Sequence, residues 1–157
     1  MSDAKILEML KAAYAAQVET LENYLATSVW LDGAGSRMTA EALESYITQK
    51  LVSAKKIARR LKELGATSPA LFHIDPTQRI LQPPEDTEPL AVVRGILEAE
   101  RHTIIILEKL IAICEQKDVT TEDLAVEILA AEEKHRAHFE ILLKLVIEER
   151  KSKPLKT

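Results

Sequence analysis

The chain has 157 residues, 29% of them charged, with a formal net charge of -4 at pH 7 and only 4 Gly and 6 Pro. That size suits one domain around one core, and the acidic balance argues against a dedicated nucleic-acid binder. The single cysteine, Cys114, excludes an intramolecular disulfide and suits a reducing, cytoplasmic setting. No run approaches the roughly 18 apolar residues of a membrane span, and the opening MSDAKILEMLKAAYAAQ lacks the basic start and pure apolar run of a signal peptide.

Apolar residues recur at three- and four-residue spacing in four segments, which predicts four helices over 3–31, 39–64, 88–116 and 121–150. The first stripe is Ile6, Leu7, Leu10, Tyr14, Leu21, Tyr24, Leu25 and Leu31, with Ser2 as cap and DGAGS (32–36) as stop. The second, capped by Thr39, is Leu43, Tyr46, Ile47, Leu51, Ala54, Ile57, Leu61 and Leu64, and it stops at Gly65. It contains the basic cluster KKIARR (55–60), read as a solvated face. The connection over 65–88 carries most of the chain's prolines and no helical period, and about 20 residues is long for a loop. The third stripe is Val93, Ile96, Leu97, Ile104, Leu107, Leu110 and Ile111. After a tight turn at QKDVT, Thr120 with Asp123 approximates a capping box for the fourth, whose stripe is Leu124, Ile128, Phe139, Leu142, Leu143 and Val146. Four helices, each roughly 40 Å long, joined short, long, short, predict an all-α four-helix bundle of two antiparallel hairpins with one crossover. The whole chain, 1–157, is expected to be this one domain.

Each stripe is interrupted by polar residues near its middle. Gln17 stands between Tyr14 and Leu21, and Lys50 and Ser53 between Ile47 and Ile57. Glu100 stands between Leu97 and Ile104, and Glu132 and His135 between Ile128 and Phe139. Six such residues at mid-length of four helices should meet at one level of the core. A polar group left unsatisfied there costs about 1–3 kcal/mol. Glu132 and His135, three apart, project from one face. Together with Glu100 they offer two carboxylates and an imidazole, a donor set suited to a metal ion. The plain alternative is that Glu100 or Glu132 pairs with Lys50, with His135 hydrogen-bonded between them. Of the other candidates, His102, His73 and Glu133 read as exposed, and His138 as an edge residue that could support His135. Tyr24 reads as a core tyrosine with a satisfied hydroxyl, Cys114 as a small core residue, and Trp30 as a packing or interface residue. No phosphate-binding loop, nucleophile motif or cysteine cluster is present.

With these residues in place, the chain resembles the ferritin-like superfamily, nearest to bacterioferritin relatives. The likeness covers about residues 5–147 and rests on AKKIARRLKELGA (54–66), LEAERHTIIILEKLI (97–111) and VEILAAEEKHRAHFEILLKLV (126–146). The resemblance implies a two-iron site built from a Glu on the first helix, a Glu-x-x-His on the second, a Glu on the third and a Glu-x-x-His on the fourth. Glu100 stands at the third-helix position and Glu132 and His135 at the fourth-helix pair. Gln17 stands where the first-helix Glu is expected, and Lys50 and Ser53 where the second-helix pair is expected. Tyr24 matches a tyrosine that many bacterioferritins carry near the metals. Leu51 stands where a haem-binding Met is expected, so no haem is implied.

Two carboxylates instead of four, with an added lysine, make a two-metal site an unsuitable fit. The expectation is an iron-associated protein that holds at most one iron, or Mn or Zn, at Glu100, Glu132 and His135, with no ferroxidase turnover by this chain alone. The alternative is a metal-free structural or interaction bundle in which Lys50 balances the buried carboxylates. By analogy the chain should form homo-oligomers or pair with another ferritin-like subunit; neither nucleic acid nor membrane is an expected partner.

Overall fold

The computed structural model describes residues 3–67 and 88–152. The four expected helices are present: α1 (Ala4–Trp30), α2 (Ser36–Glu63), α3 (Pro89–Cys114) and α4 (Val119–Ser152). Their direction follows from which residues share a core. One apolar cluster joins Ile6 and Leu10 at the start of α1 with Ile57 and Leu61 at the end of α2. To these it adds Leu107 and Leu110 at the end of α3 and Ile128 near the start of α4. The other joins Tyr24 near the end of α1, Leu43 near the start of α2, Val93 and Ile96 near the start of α3, and Phe139, Leu142 and Val146 late in α4. Thus α1 and α4 run one way and α2 and α3 the other. α2 ends at the opposite end of the bundle from the start of α3, so their connection joins the two ends, as the short, long, short spacing predicts. Residues 68–87 of that connection, including His73, lie outside the described residues.

Helix ends depart from expectation where local hydrogen bonding offers something better. Ser2 lies outside the described residues; the Asp3 carboxylate accepts from the backbone N–H of Lys5 at 2.9 Å and caps α1. α2 begins at Ser36, before Thr39, because Gly35 with φ 82° turns the chain into the helix. A side chain there would be strained in that left-handed conformation and would meet Val146 Cγ2 at 3.2 Å. Thr39 instead donates its hydroxyl to the Gly35 carbonyl at 2.9 Å. At the far end, Gly65 with φ 78° lets the N–H of Ala66 reach the Leu61 carbonyl at 2.9 Å and its own N–H reach the Lys62 carbonyl at 3.0 Å. These two bonds satisfy carbonyls that the helix leaves open.

The cap of α4 is Asp118, not Thr120. Its Oδ1 accepts from the Thr121 N–H at 3.0 Å and from Arg60 Nη2 at 2.9 Å, while Arg60 Nε donates to Thr121 Oγ1 at 2.8 Å. Arg60, assigned to the solvated face in KKIARR, therefore ties the end of α2 to the start of α4.

Two leucines assigned to the stripes face outward: Leu25 is 55% and Leu51 56% exposed. Neighbouring residues on a helix point about 100° apart. Tyr24 and Lys50 take the inward positions, so the residues after them cannot. No helix among the described residues is long and apolar enough to cross a membrane.

The Asp118 network yields a first prediction. Asp118→Ala removes the cap and the Arg60 contact together, and should lower the unfolding free energy by about 1–2 kcal/mol. Urea denaturation of the variant beside the parent chain measures this, and coincident midpoints would show that α4 starts without this cap.

Candidate metal centre

The polar residues meet between the two apolar clusters. Gln17, Lys50, Ser53, Glu100, Glu132 and His135 are all buried, none more than 6% exposed. Four helices supply them, and each lies at mid-length because the apolar residues on either side fix the register of its helix. Contacts link Gln17, Lys50, Glu100, Glu132 and His135 in one layer, while Ser53 is buried on α2 near Lys50.

Lys50 is at its centre. Its Nζ lies 2.8 Å from Glu100 Oε1 and in direct contact with Glu132 Oε2, and both side chains are fully shielded from solvent. Tyr24 donates its hydroxyl to Glu100 Oε1, and Gln17 Nε2 donates to Glu132 Oε1 at 3.0 Å. The Lys50 ammonium also sits 5.7 Å from the centre of the Tyr24 ring, on its electron-rich face. Tyr24 is thus the core tyrosine expected, with a carboxylate as the partner of its hydroxyl.

His135 is reached from α2. Its Nε2 lies 2.8 Å from Gln49 Oε1, and the Tyr46 ring packs on the imidazole with centroids 3.9 Å apart. Tyr46 in turn places its hydroxyl 2.5 Å from His138 Nδ1, so its ring links His138, exposed at the edge, to His135. Sequence patterning singled out neither Tyr46 nor Gln49 for the site. Tyr46 passed as an ordinary stripe residue, and Gln49 is exposed and off the stripe. Their only signal is position, four and one residues before Lys50. His102 and Glu133 are exposed and Cys114 is buried, as expected. Trp30 is exposed.

The charges in this layer set one another. Burial alone would lower the Lys50 pKa, but Glu100 and Glu132 outweigh it and hold the ammonium charged. Burial pushes the Glu100 carboxyl up to about 8; Lys50 pulls against this, and the neighbouring Glu132 carboxylate adds to it. Burial also opposes ionisation of Glu132, but the Lys50 ammonium beside it outweighs this and holds that carboxyl well below the usual range. Glu100 is thus the acid of the pair that keeps a proton near neutrality, and a cation bound at its Oε2 would have to displace that proton. Tyr24 is pushed well above its ordinary value by burial and by Glu100, so it remains a hydrogen-bond donor.

The layer is not fully satisfied. Glu100 Oε2, His135 Nδ1 and Gln17 Oε1 are buried without hydrogen-bond partners. One donor atom from each of Glu100, Glu132 and His135 falls within 4.8 Å of the others, and His135 Nδ1 lies 3.8 Å from Glu132 Oε2. Two orphaned electron-pair donors beside a carboxylate fit a single cation of oxygen and nitrogen preference, such as a first-row divalent metal. They do not fit two, because Lys50 occupies the position between the carboxylates and neither Gln17 nor Ser53 supplies charge. The arrangement thus satisfies both expectations in part: Lys50 pairs with both acids, yet the Glu100, Glu132 and His135 set remains close enough to hold one ion.

Comparison with known proteins bears on this geometry. The family model of the ferritin-like domain matches residues 7–147. Among solved structures, the fold is similar to a dodecameric thioferritin, the bacterioferritin-related protein of Bacteroides fragilis. That match has a TM-score of 0.82 and 23% identity over 94% of this chain and 89% of the other. None of the curated proteins compared with it matches the sequence.

Two predictions follow from the charge layer. Lys50→Met leaves two buried acids without their cation and should cost about 3–5 kcal/mol of stability. Adding Glu132→Gln should recover part of that loss, since the double variant buries fewer uncompensated charges. Urea unfolding of the two variants decides it, and a single variant as stable as the parent would remove Lys50 from the centre of the energetics.

The second concerns pH. The folded chain holds a proton on Glu100 between its ordinary value of 4.5 and about 8, where the unfolded chain releases it. The stability from this group is therefore complete below the lower value and lost as pH rises through the upper one. Glu100→Gln, a neutral isostere, should gain stability relative to the parent as pH rises across that window. Unfolding midpoints measured across it with chelator present test the sign, and a pH-independent difference between the two proteins contradicts it.

Proposed function

Because the chain belongs to the ferritin-like domain family, we propose that it is an iron-associated, bacterioferritin-related protein with a reduced centre that takes at most one divalent metal ion. Glu100, Glu132 and His135 are the ligands, and iron is the metal, with Mn or Zn as the chemically similar choices. The observation that carries this is the pair of buried, unpartnered donors, Glu100 Oε2 and His135 Nδ1, beside the Glu132 carboxylate. An ion held there by Glu100, Glu132 and His135 would supply Lewis-acid chemistry.

The chain's own residues define how that centre behaves. Gln17 fixes one oxygen of Glu132, and Tyr24 fixes one oxygen of Glu100. Each carboxylate therefore keeps a set orientation. Lys50 supplies a fixed positive charge between the two carboxylates and repels a second cation. With no second metal position, two-iron oxidation is not a reaction of this chain alone. Its role is to hold metal, or to complete an assembly in which another ferritin-like subunit is active. Self-association is part of the proposal: the similar Bacteroides protein is described as a dodecamer, and α1 and α2 present Leu25, Val29, Trp30, Leu51 and Val52 to solvent.

A second proposal has its own support. The ammonium of Lys50 already contacts both acids, which is what a metal-free structural or interaction bundle would require.

Metal analysis of protein purified from iron-rich medium separates the two. The metal-holding proposal expects up to one ion per chain, removed by chelator with a fall in Tm and lost in Glu132→Ala and His135→Ala. Protein that carries no transition metal, and whose Tm ignores chelator, supports the metal-free bundle instead. Lys50→Glu combined with Ser53→His should raise the capacity to two ions per chain, and sizing by light scattering tests the assembly.

A further inference from the structure

The His135 imidazole joins the buried layer to the surface, and its two nitrogens have different surroundings. Nε2 meets the side-chain oxygen of Gln49 at 2.8 Å. Nδ1 is buried, has no hydrogen-bond partner, and lies 3.8 Å from Glu132 Oε2. An amide oxygen only accepts hydrogen bonds, so the proton of the neutral ring belongs on Nε2. Nδ1 then carries a bare electron pair pointed into the layer.

We infer that Gln49 is a positioning residue: it holds His135 in the Nε2-protonated tautomer and so presents Nδ1 as a ligand atom to a divalent metal. This deepens the single-ion site proposed above and rests on it for its metal-binding consequence, though not for the tautomer itself.

The inference accounts for an otherwise unfavourable arrangement. A bare nitrogen electron pair and a carboxylate oxygen face each other across 3.8 Å with no hydrogen bond. With the proton on Nδ1, a small ring rotation would let it donate to Glu132 and remove the orphan. Two contacts from α2 oppose that. Gln49 gives Nε2–H an acceptor, which favours the other tautomer. Tyr46 packs on the ring face at 3.9 Å between centroids and restricts its rotation. Tyr46 is itself fixed by His138 Nδ1 and by the Phe139 ring, 5.4 Å away between centroids. Gln49 and Tyr46 stand three apart on α2, so they reach the ring from one face of one helix. Bonding at the nitrogen remote from a metal fixes which nitrogen is free to ligate.

Gln49 also differs from the residues it serves. It is exposed, whereas Glu100, Glu132 and His135 are buried. A surface amide therefore controls the protonation pattern of a buried ligand, and its substitution should leave the packed layer intact.

The test uses the full chain with imidazole-¹⁵N labelling. Long-range ¹H–¹⁵N correlation spectra of metal-free protein at about pH 8, where an ordinary histidine is neutral, report which nitrogen of His135 carries the proton. His135→Ala assigns the resonance. The parent should show the Nε2–H pattern. Gln49→Leu should shift the ring toward Nδ1–H and weaken Zn(II) binding, titrated calorimetrically with Zn(II) alone, by about 10–100-fold. Gln49→Glu retains the acceptor oxygen and should restore both the tautomer and the affinity. An Nδ1–H pattern in the parent, or a Gln49→Leu spectrum indistinguishable from it, overturns the inference. If the spectra follow expectation but no form binds Zn(II), the tautomer assignment stands and the single-ion proposal fails.

Discussion

The contact of one buried ammonium with two buried acids organises this protein. Lys50 reaches Glu100 and Glu132 in the middle of a bundle whose other interior residues are mostly apolar. Charges are tolerated there only when they are mutually compensated, because the interior does not solvate them. Lys50, Glu132 and a protonated Glu100 satisfy that requirement, and Tyr24 and Gln17 supply hydrogen bonds to the acids. The apolar clusters above and below close the layer from water and set the height at which the helices must meet.

The same layer limits how much positive charge the core can accept. Gln17 and Lys50 bring no negative charge to the layer that could hold a second ion. The lysine itself fills part of the space and supplies part of the charge. What is left, two acids and an imidazole, leaves Glu100 Oε2 and His135 Nδ1 without hydrogen-bond partners, and Glu100 Oε2 could hold a cation only by giving up its proton.

The outer partners of the layer have a different logic. Tyr46 and Gln49 touch His135 from the surface side of α2, and neither contributes charge. Their contacts govern orientation and proton position rather than affinity for a cation directly. Arg60 and Asp118 play a comparable part for the fold: they are peripheral, but they fix where α4 begins and so where Glu132 and His135 stand along it.

Sequence periodicity alone determined the four helices, the crossover and the six polar positions, because burial imposes a three-to-four-residue spacing that any interruption makes visible. It could not place Leu25 and Leu51, which fit the spacing but lie next to Tyr24 and Lys50. Which of two adjacent residues turns inward depends on what faces it across the bundle. Nor could it find the Arg60 tie or the Gln49 contact, since each joins residues on different helices whose proximity no local pattern records; the Asp118 cap is local, and periodicity could not choose between it and Thr120. Above all, the sequence left open whether Lys50 would pair with one acid or two. Only the packing of the four helices decided that, by bringing Lys50 of α2 within reach of Glu100 on α3 and Glu132 on α4 at once.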